Sequence, residues 1–201
     1  MSHYFTNDNV KSEEKEINIL FQDKSFKMIT DNGVFSKKGL DYGTRALLEK
    51  IPFSELKGDI LDFGCGYGPI GIIISSLTNL KVDMIDINLR KNALLNKSNV
   101  NIFESNIYES INKKYDYIIS NPPIRVGKET LYKILFGARE HLKDDGSLYF
   151  VINKEQGAKS VARDLEEIYQ VSIIDKNKGF YIIKCKNKTI YWQLEYILIK
   201  L

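Results

Sequence analysis

The chain of 201 residues is long enough for one α/β domain with a small extension. Hydrophobic residues make up 43% of it and charged residues 27%, which excludes a disordered chain, and a formal charge of +3 permits nucleic acid as a partner without requiring it. The two cysteines lack metal-ligand spacing and give no disulfide framework, and no apolar run reaches the length of a membrane span, so we expect a cytoplasmic protein.

The N-terminal region, residues 1–34, is predicted to be an extension that carries a β-hairpin. Polar and apolar residues alternate along two runs, 16–22 and 25–30, which flank a short polar link at 23–24. Such alternation is typical of strands with one buried face, and the short link favours a hairpin. We place this hairpin ahead of the main domain, residues 35–187.

A helix is predicted over residues 40–50, and Pro52 ends it. Asp41 and Thr44 fit the start of this helix, and Phe35 precedes it in a predicted loop. Taken alone, each of these three residues fits loop packing or a helix start.

The segment I-L-D-F-G-C-G-Y-G-P-I-G, residues 60–71, joins a short apolar run to three glycines at alternate positions, Gly64, Gly66 and Gly68. A buried strand that turns into a helix has this pattern. Glycine allows a positive φ and leaves room for a ligand against the main chain, and the next helix begins with free N–H groups. The segment predicts the first βα turn of a doubly wound sheet and a nucleoside-cofactor site; a glycine-rich turn without a ligand is the alternative.

The spacing of these glycines distinguishes between nucleoside cofactors. A dinucleotide fingerprint requires its third glycine three positions after the second, where this chain has Pro69. Asp62 would repel a pyrophosphate but attract the cationic methionine end of S-adenosylmethionine, so a nicotinamide oxidoreductase is disfavoured. With Asp62 and Cys65, this loop resembles that of the class I S-adenosylmethionine-dependent methyltransferases.

A second strand is predicted over residues 81–87 and a helix over 88–96. Asp86, near the end of this strand, follows Asp62 by 24 positions. A carboxylate about 20 residues beyond a glycine turn binds the ribose diol of a nucleoside, so we favour this role for Asp86, with Ile87 beside it in the cofactor site. A helix cap is the alternative for Asp86.

The third predicted strand, residues 99–103, is followed by Asn106. In a sheet ordered 3-2-1-4-5, a ligand that crosses the carboxyl ends of strands one to three would place its adenine here. The Asn106 side chain carries both a donor and an acceptor, as recognition of an adenine edge requires. We therefore predict that Asn106 contacts the cofactor.

The fourth predicted strand, residues 115–120, runs into the turn S-N-P-P-I-R. This strand neighbours strand one across the topological switch point, so the turn faces the reactive group of a bound cofactor. Pro122 favours an extended backbone at Asn121, and Pro123 stiffens the next step. A rigid loop exit is the alternative for the turn by itself, but its place beside the glycine loop favours a site.

The remaining segments complete an α/β, Rossmann-like, doubly wound sheet of seven strands. We predict the strand order 3-2-1-4-5-7-6, with the last strand antiparallel. The segments are a helix over 128–142 closed by Asp144-Asp145-Gly146, a strand over 147–153, a helix over 156–169 and antiparallel strands over 171–175 and 179–185. Residues 188–201 form a predicted amphipathic helix that packs on the domain or on a second subunit, as in a homodimer.

From G-V-F-S-K-K-G-L-D-Y-G-T through the glycine loop to S-N-P-P-I-R-V-G-K, the chain resembles the small methyltransferase family. This family includes the guanine-N2 methyltransferases of small-subunit ribosomal RNA. Its members carry an Asn-Pro-Pro-aromatic turn, and some have a second, degenerate methyltransferase domain before the catalytic one. Here we expect one domain, and Ile124 stands in place of the aromatic residue. The resemblance implies S-adenosylmethionine as cofactor and RNA as substrate.

An Asn-Pro-Pro turn can polarise an exocyclic amine, whose lone pair is otherwise delocalised into the base. We predict that the Asn121 side-chain oxygen and the Pro122 carbonyl accept its two N–H groups, that Asn121 also contacts the cofactor, and that no metal takes part. Because a base inside a helix cannot reach such a turn, the expected substrate is an unpaired or flipped nucleotide. Its predicted contacts are Phe35, Pro123, Ile124, Arg125 and Lys128, the last two as phosphate contacts or as solvated surface cations.

Three functions are compatible with these motifs. The first is an N-methyltransferase that acts on RNA, and the second is the same enzyme fold acting on a protein amide or a small molecule. The third is a cofactor-binding RNA scaffold without turnover. The glycine loop and the Asn-Pro-Pro turn together favour the first.

Overall fold

The structure, a computed structural model, describes residues 13–30, 39–85, 90–123 and 127–188. The elements in chain order are β1 (Lys15–Phe21), β2 (Lys24–Thr30), α1 (Tyr42–Lys50), β3 (Ile60–Phe63), α2 (Pro69–Thr78), β4 (Val82–Ile85), α3 (Arg90–Leu95), β5 (Val100–Phe103), β6 (Tyr115–Ser120), α4 (Gly127–Gly137), β7 (Leu142–Asn153), α5 (Ala158–Leu165), β8 (Tyr169–Asn177) and β9 (Phe180–Asn187). Within these ranges, 3₁₀ turns occupy Phe53–Glu55, Ala138–His141 and Lys154–Gln156.

Seven of the strands form one sheet in the order β5-β4-β3-β6-β7-β9-β8. β9 runs antiparallel to both of its neighbours, and the pairs among β3 to β7 are parallel. Counted within the sheet, the order is 3-2-1-4-5-7-6, so the predicted topology is confirmed. β3 and β4 are buried at every position because both faces of the sheet are covered, which explains their mostly apolar sequences.

The predicted hairpin is present as β1 and β2, and it packs into the same core as the sheet. Ile19, Phe21, Phe26 and Met28 are buried in one hydrophobic cluster with residues of α1 and α2. α4 and α5 contribute to a second cluster on the opposite face of the sheet. The hairpin therefore forms a separate two-stranded sheet but shares its buried surface with the main sheet. The domain boundary predicted after residue 34 stays a prediction.

The helix predicted over residues 128–142 is wrong at its C-terminal end. α4 ends at Gly137, a 3₁₀ turn follows, and β7 begins directly after that turn. The Asp-Asp-Gly segment at 144–146 lies where the pairing of β7 with β6 shifts register, so it does not close a helix. A Cβ at Gly146 would lie 2.9 Å from the carbonyl oxygen of Tyr115, and glycine permits this close approach.

The helix predicted over residues 156–169 is also too long. α5 ends at Leu165, and Tyr169 already belongs to β8. The buried Tyr169 donates its hydroxyl to the carbonyl oxygen of Leu135 at 3.1 Å, which ties the start of β8 to α4. A contact between such distant segments leaves no local pattern in the sequence.

Two of the predicted segments extend beyond the described residues. The end of the second strand falls in residues 86–89, and the C-terminal helix falls in residues 189–201. No helix within the described ranges is both long and apolar enough to cross a membrane.

Candidate active site

The glycine loop connects β3 to α2 at the carboxyl edge of the sheet. Gly64, Gly66 and Gly68 have φ values of +70°, +58° and +93°, a backbone conformation that residues other than glycine rarely adopt. Gly68 precedes α2, and Pro69 occupies its first turn, where a missing N–H costs no hydrogen bond. The predicted strand-turn-helix unit is thus confirmed, and the glycines are required by the backbone conformation.

Asp62 lies beneath this loop and is fully buried. Its Oδ2 atom accepts a hydrogen bond from the Gly71 backbone N–H at 2.8 Å. A carboxylate at this point binds an N–H group of the first turn of α2 and favourably opposes the positive end of the helix dipole. Asp62 therefore fixes α2 to β3, and its predicted contact with a cofactor stays a prediction.

Cys65 attaches the same loop to the neighbouring strand. Its Sγ atom donates to the Ile85 carbonyl oxygen at 2.9 Å, and its backbone N–H donates to the same oxygen at 3.4 Å. Ile85 is the last residue of β4. The predicted ribose contacts, Asp86 and Ile87, follow directly in the sequence but lie outside the described residues.

Asn92 of α3, which the sequence did not single out, supports the loop from the hairpin side. Its Nδ2 atom donates to the carbonyl oxygens of Tyr67 at 2.8 Å and Ile29 at 2.9 Å, and its Oδ1 atom accepts from the Ile29 N–H at 2.6 Å. Only 1% of Asn92 is exposed, so these bonds are shielded from water. The glycine loop, the hairpin and α3 therefore form one hydrogen-bonded unit.

The Asn-Pro-Pro turn lies next to the glycine loop, as predicted. Phe63 and Ser120 are paired at the ends of β3 and β6, and the Ser120 hydroxyl donates to the Phe63 carbonyl oxygen at 2.9 Å. Among the described residues, a Cβ at Gly64 would contact only Pro123, whose Cδ atom would lie 3.9 Å away. The loop therefore presents an open backbone face toward the turn, where a ligand can lie against the main chain.

The Asn121 side chain is bonded to the start of α1. Its Nδ2 atom donates to Thr44 Oγ1 at 2.9 Å and to Asp41 Oδ1 at 3.3 Å. Because a carboxylate can only accept hydrogen bonds, the NH₂ end of the amide is the end that faces Asp41. The Oδ1 atom of Asn121 therefore lies on the opposite side of the amide from these two residues.

Asp41 is the N-cap of α1, as its position in the sequence predicts. The same Oδ1 atom that binds Asn121 accepts the Thr44 N–H at 3.0 Å. Tyr67 of the glycine loop donates its hydroxyl to Gly39 at 3.1 Å. Burial raises the pKa of Tyr67, and the negative charge of Asp41 raises it further. The start of α1 thus contacts both halves of the site.

The remaining predicted site residues range from exposed to buried, and some lie outside the described ranges. Asn106 follows β5 as expected, but it is exposed and its Nδ2 atom donates to Glu109 at 2.7 Å. The Lys128 ammonium lies 5.0 Å from the centre of the Tyr132 ring on the same helix. Pro122 is buried and Pro123 is half-buried. The predicted substrate contacts outside the described residues are Phe35, Ile124 and Arg125.

Residues 25–184 match the family model described as the methyltransferase small domain. The chain belongs to this family. The fold, the enzyme class and the cofactor expected from the sequence are thereby confirmed, and the chain is an S-adenosylmethionine-dependent methyltransferase.

Three similar proteins differ in how much of their own length this chain covers. The uncharacterized protein YbxB of Bacillus subtilis is 40% identical over 92% of this chain and 98% of its own length. Ribosomal RNA small subunit methyltransferase C of Psychromonas ingrahamii is 34% identical over 78% of this chain but only 47% of its own length. The chain thus spans about half the length of such relatives. A solved T. thermophilus 16S rRNA N2 methyltransferase, in complex with AdoMet and guanosine, has a TM-score of 0.79 and 19% identity, and the match covers 90% of this chain and 52% of that one.

Two features of the described residues fit S-adenosylmethionine. The backbone face of Gly64 is open toward the Asn-Pro-Pro turn, and residues 121–123 of that turn, which the structure describes, supply amide and carbonyl groups and carry no positive charge. A cationic cofactor carrying a nucleoside matches these three residues because none of them carries a charge that repels it. Among the described residues, no group of three His, Cys, Asp or Glu side chains is placed to hold a metal.

Proposed function

We propose that this chain transfers a methyl group from S-adenosylmethionine to the exocyclic amine of a guanine in RNA, with small-subunit ribosomal RNA as the foremost candidate. The observation that carries this proposal is the position of the Asn-Pro-Pro turn. It follows β6, and β6 pairs with the strand that ends in the glycine loop. A substrate held by the turn therefore lies beside a cofactor held by the loop.

The chemical task of the turn is to make a poor nucleophile react. The lone pair of an exocyclic amine is delocalised into the base, and acceptors that bind its N–H groups draw this electron density back to nitrogen. The Asn121 Oδ1 atom and the Pro122 carbonyl oxygen are the two acceptors of the turn. When bound, S-adenosylmethionine would supply a methyl group on a sulfonium. The amine nitrogen would bond to this methyl carbon as the carbon–sulfur bond breaks, the sulfur would leave as a neutral thioether, and the nitrogen would then release one proton to solvent. Orienting the two reactants can contribute about 7 to 11 kcal/mol to lowering the barrier.

The choice of RNA as substrate is supported by named relatives. Several of them are called ribosomal RNA small subunit methyltransferase C, and the solved T. thermophilus neighbour described above is in complex with guanosine. A target base must leave its helix to reach the turn, so we propose that the substrate is an unpaired or flipped guanine. We propose that the reaction takes place in the cytoplasm. Ile124 stands where family members carry an aromatic residue, and we propose that it makes an apolar contact with the base in place of stacking.

The proposal is tested by methyl transfer to RNA that lacks the modification. Total RNA from cells without this protein is incubated with the purified chain and labelled S-adenosylmethionine, and its nucleosides are then separated. We expect label in N2-methylguanosine, and its rate of appearance to fall by about 10² to 10³ when Asn121→Ala replaces the wild-type chain. Label found only in protein would indicate a protein amide as substrate, and label in neither would indicate a scaffold without turnover.

A further inference from the structure

The contacts of Asn121 with α1 join two segments that are far apart in the sequence. Asn121 is separated from Asp41 by 80 positions and from Thr44 by 77. Thr44 is only 3% exposed, so water does not compete for its hydroxyl. A helical threonine commonly turns its hydroxyl to the carbonyl of the preceding turn, but the Thr44 oxygen accepts a hydrogen bond from the Asn-Pro-Pro turn.

These two acceptors define the orientation of the Asn121 amide. With one acceptor for each N–H group, rotating the amide by half a turn would place its oxygen against the Asp41 carboxylate and the Thr44 oxygen. That arrangement loses the hydrogen bond to Asp41 and brings two oxygens of like partial charge together, and the Thr44 hydroxyl would have to turn from acceptor to donor. The observed orientation is therefore the stable one, and it directs Oδ1 away from α1.

We propose that Asp41 and Thr44 are positioning residues for methyl transfer, which hold the Asn121 amide so that its oxygen can accept the N–H of the substrate amine. This inference rests on the proposed function, because it assumes that Asn121 binds the amine. The negative charge of Asp41 acts on the same amide. Hydrogen bonds to its N–H groups polarise the amide and make its oxygen a stronger acceptor, an effect of about 10–30% per bond.

Helix capping alone does not account for this arrangement. The N-cap role of Asp41 requires a single acceptor for the Thr44 N–H, which serine also provides. A serine at position 41 is too short to reach Asn121 as well. Substitutions at Asp41 and Thr44 can therefore remove the bonds to Asn121 while the start of α1 stays intact.

The test compares four variants by single-turnover methyl transfer to the accepting RNA at saturating S-adenosylmethionine. Thr44→Val removes the acceptor without changing the shape of the side chain, and Thr44→Ser retains the hydroxyl. Asp41→Ser retains the cap but not the bond to Asn121. Thr78→Val is a matched control at the end of α2, where the hydroxyl donates to Ile74.

We expect Thr44→Val and Asp41→Ser each to lower the single-turnover rate constant by about tenfold, which is the upper range for the neutral bond to Thr44 and the lower range for the bond to the charged Asp41. The KM for RNA and the affinity for S-adenosylmethionine should change by less than about twofold, since the contacts act on the reacting amine. Thr44→Ser should recover most of the rate. Thr78→Val should lower the thermal midpoint without changing the rate.

The decisive comparison repeats Thr44→Val in a chain that already carries Asn121→Ala. If Thr44 acts through Asn121, the second substitution should cause no further loss of rate. An equal loss in both backgrounds, or losses confined to the thermal midpoint, would overturn the positioning role. Should Thr44→Val fail to fold, Asp41→Ser in the same two backgrounds decides the question.

A failure of the proposed function gives a different result. In that case Asn121→Ala itself would retain normal turnover, which would show that Asn121 does not bind the substrate amine. Loss of turnover in Asn121→Ala together with normal rates in Thr44→Val and Asp41→Ser would retain the proposed function and reject the positioning role alone.

Discussion

The amino and carboxyl ends of the parallel strands are held together by different chemistry. At the amino end, charged side chains cross-link neighbouring strands. Lys113 contacts Asp59 at 3.0 Å and Asp83 at 2.9 Å, and Lys143 contacts Asp59 at 2.9 Å and Asp116 at 2.7 Å. The two ammonium groups lower the pKa of the Asp59 carboxyl, Lys143 more than Lys113.

Asp83 is the buried centre of this amino-end network. In addition to Lys113, it accepts hydrogen bonds from the Tyr115 hydroxyl at 2.9 Å and from Asn101 at 2.8 Å. Burial raises the pKa of Tyr115, and the bond to Asp83 raises it further. One carboxylate thus links β4 to β5 and to the start of β6.

At the carboxyl end, single hydrogen bonds to backbone groups hold the loops, and Asn121 binds Thr44 and the carboxylate of Asp41. Ser120, Cys65 and Asn92 all donate to carbonyl oxygens, and Asp62 accepts from a helix N–H group. These bonds fix the path of the loops while leaving the open face of Gly64. The groups that hold the strands together and the groups proposed for the chemistry are therefore separated by the length of a strand, and substitutions at the two ends should have separable effects.

The largest expected effect is on turnover, at the carboxyl end. Asn121→Ala removes one polarising acceptor and should lower the single-turnover rate by about 10² to 10³, as the loss of one preorganised hydrogen-bonding group does. Stability should fall by only about 1 kcal/mol, because one half-buried amide loses its bonds. Rates at saturating cofactor and urea unfolding of the same preparation measure both. Turnover near that of the wild type would show that the turn is purely structural.

The amino end should respond in the opposite way. Asp83→Ala leaves the Tyr115 hydroxyl and the Asn101 amide without their acceptor and should lower the free energy of unfolding by about 2 to 3 kcal/mol. Turnover per folded molecule should remain that of the wild type. Asp145→Ala is the matched control, because Asp145 is 86% exposed and its pair with Lys186 should contribute little. If the two variants were equally stable in urea, the Asp83 network would not be what holds the strands together at this end.

A third variant tests the open face of the glycine loop. Gly64→Ala places a methyl group where the backbone faces the Asn-Pro-Pro turn, and we expect the affinity for S-adenosylmethionine to fall by about tenfold, or 1.4 kcal/mol. Gly179→Ala introduces the same strain at φ +81° in the turn between β8 and β9, so both variants should lose about 1 to 2 kcal/mol of stability.

Titration calorimetry with both variants separates strain from ligand contact. A tenfold loss in Gly179→Ala as well would assign the effect to strain, and unchanged affinity in Gly64→Ala would contradict the loop as the cofactor site.

The sequence predicted those parts of the fold and the site that depend on local patterns. β6 was predicted at its observed bounds, and the glycine loop was placed between β3 and α2. Their adjacency also followed, because in a doubly wound sheet strands one and four are neighbours at the topological switch point. The error at residues 144–146 arose because Asp-Asp-Gly is typical of a helix end but here permits a close approach to Tyr115.

The side-chain contacts of the site could not be predicted in this way. Asp41 was interpreted as the start of a helix, and it is one, but its bond to Asn121 spans 80 positions. The same holds for Asn92, whose polar side chain in a predicted helix gives no sign that it binds Tyr67 and Ile29. Such contacts arise only when the sheet brings distant segments to one edge.

The smallest expected effect is a pH dependence of stability at the amino end. His141 precedes β7 and stacks on the Tyr108 ring, with 4.6 Å between the ring centres. Burial lowers the pKa of His141 below its ordinary value, and the charge of Glu140 opposes this only in part. The unfolded chain therefore takes up the proton first as the pH falls. The contribution of His141 is fully present above about pH 6.5 and is lost as the pH falls through the pKa of the folded state.

We expect the urea midpoint to fall between about pH 7.5 and pH 5.5, and to fall less in His141→Phe, which retains a stacked ring without a titrating group. The carboxylates whose pKa is lowered titrate below this range, so they do not obscure the difference. The same fall in both proteins would assign the pH dependence to other groups. The ion pairs would then be the groups that stabilise the amino end, without a contribution from His141.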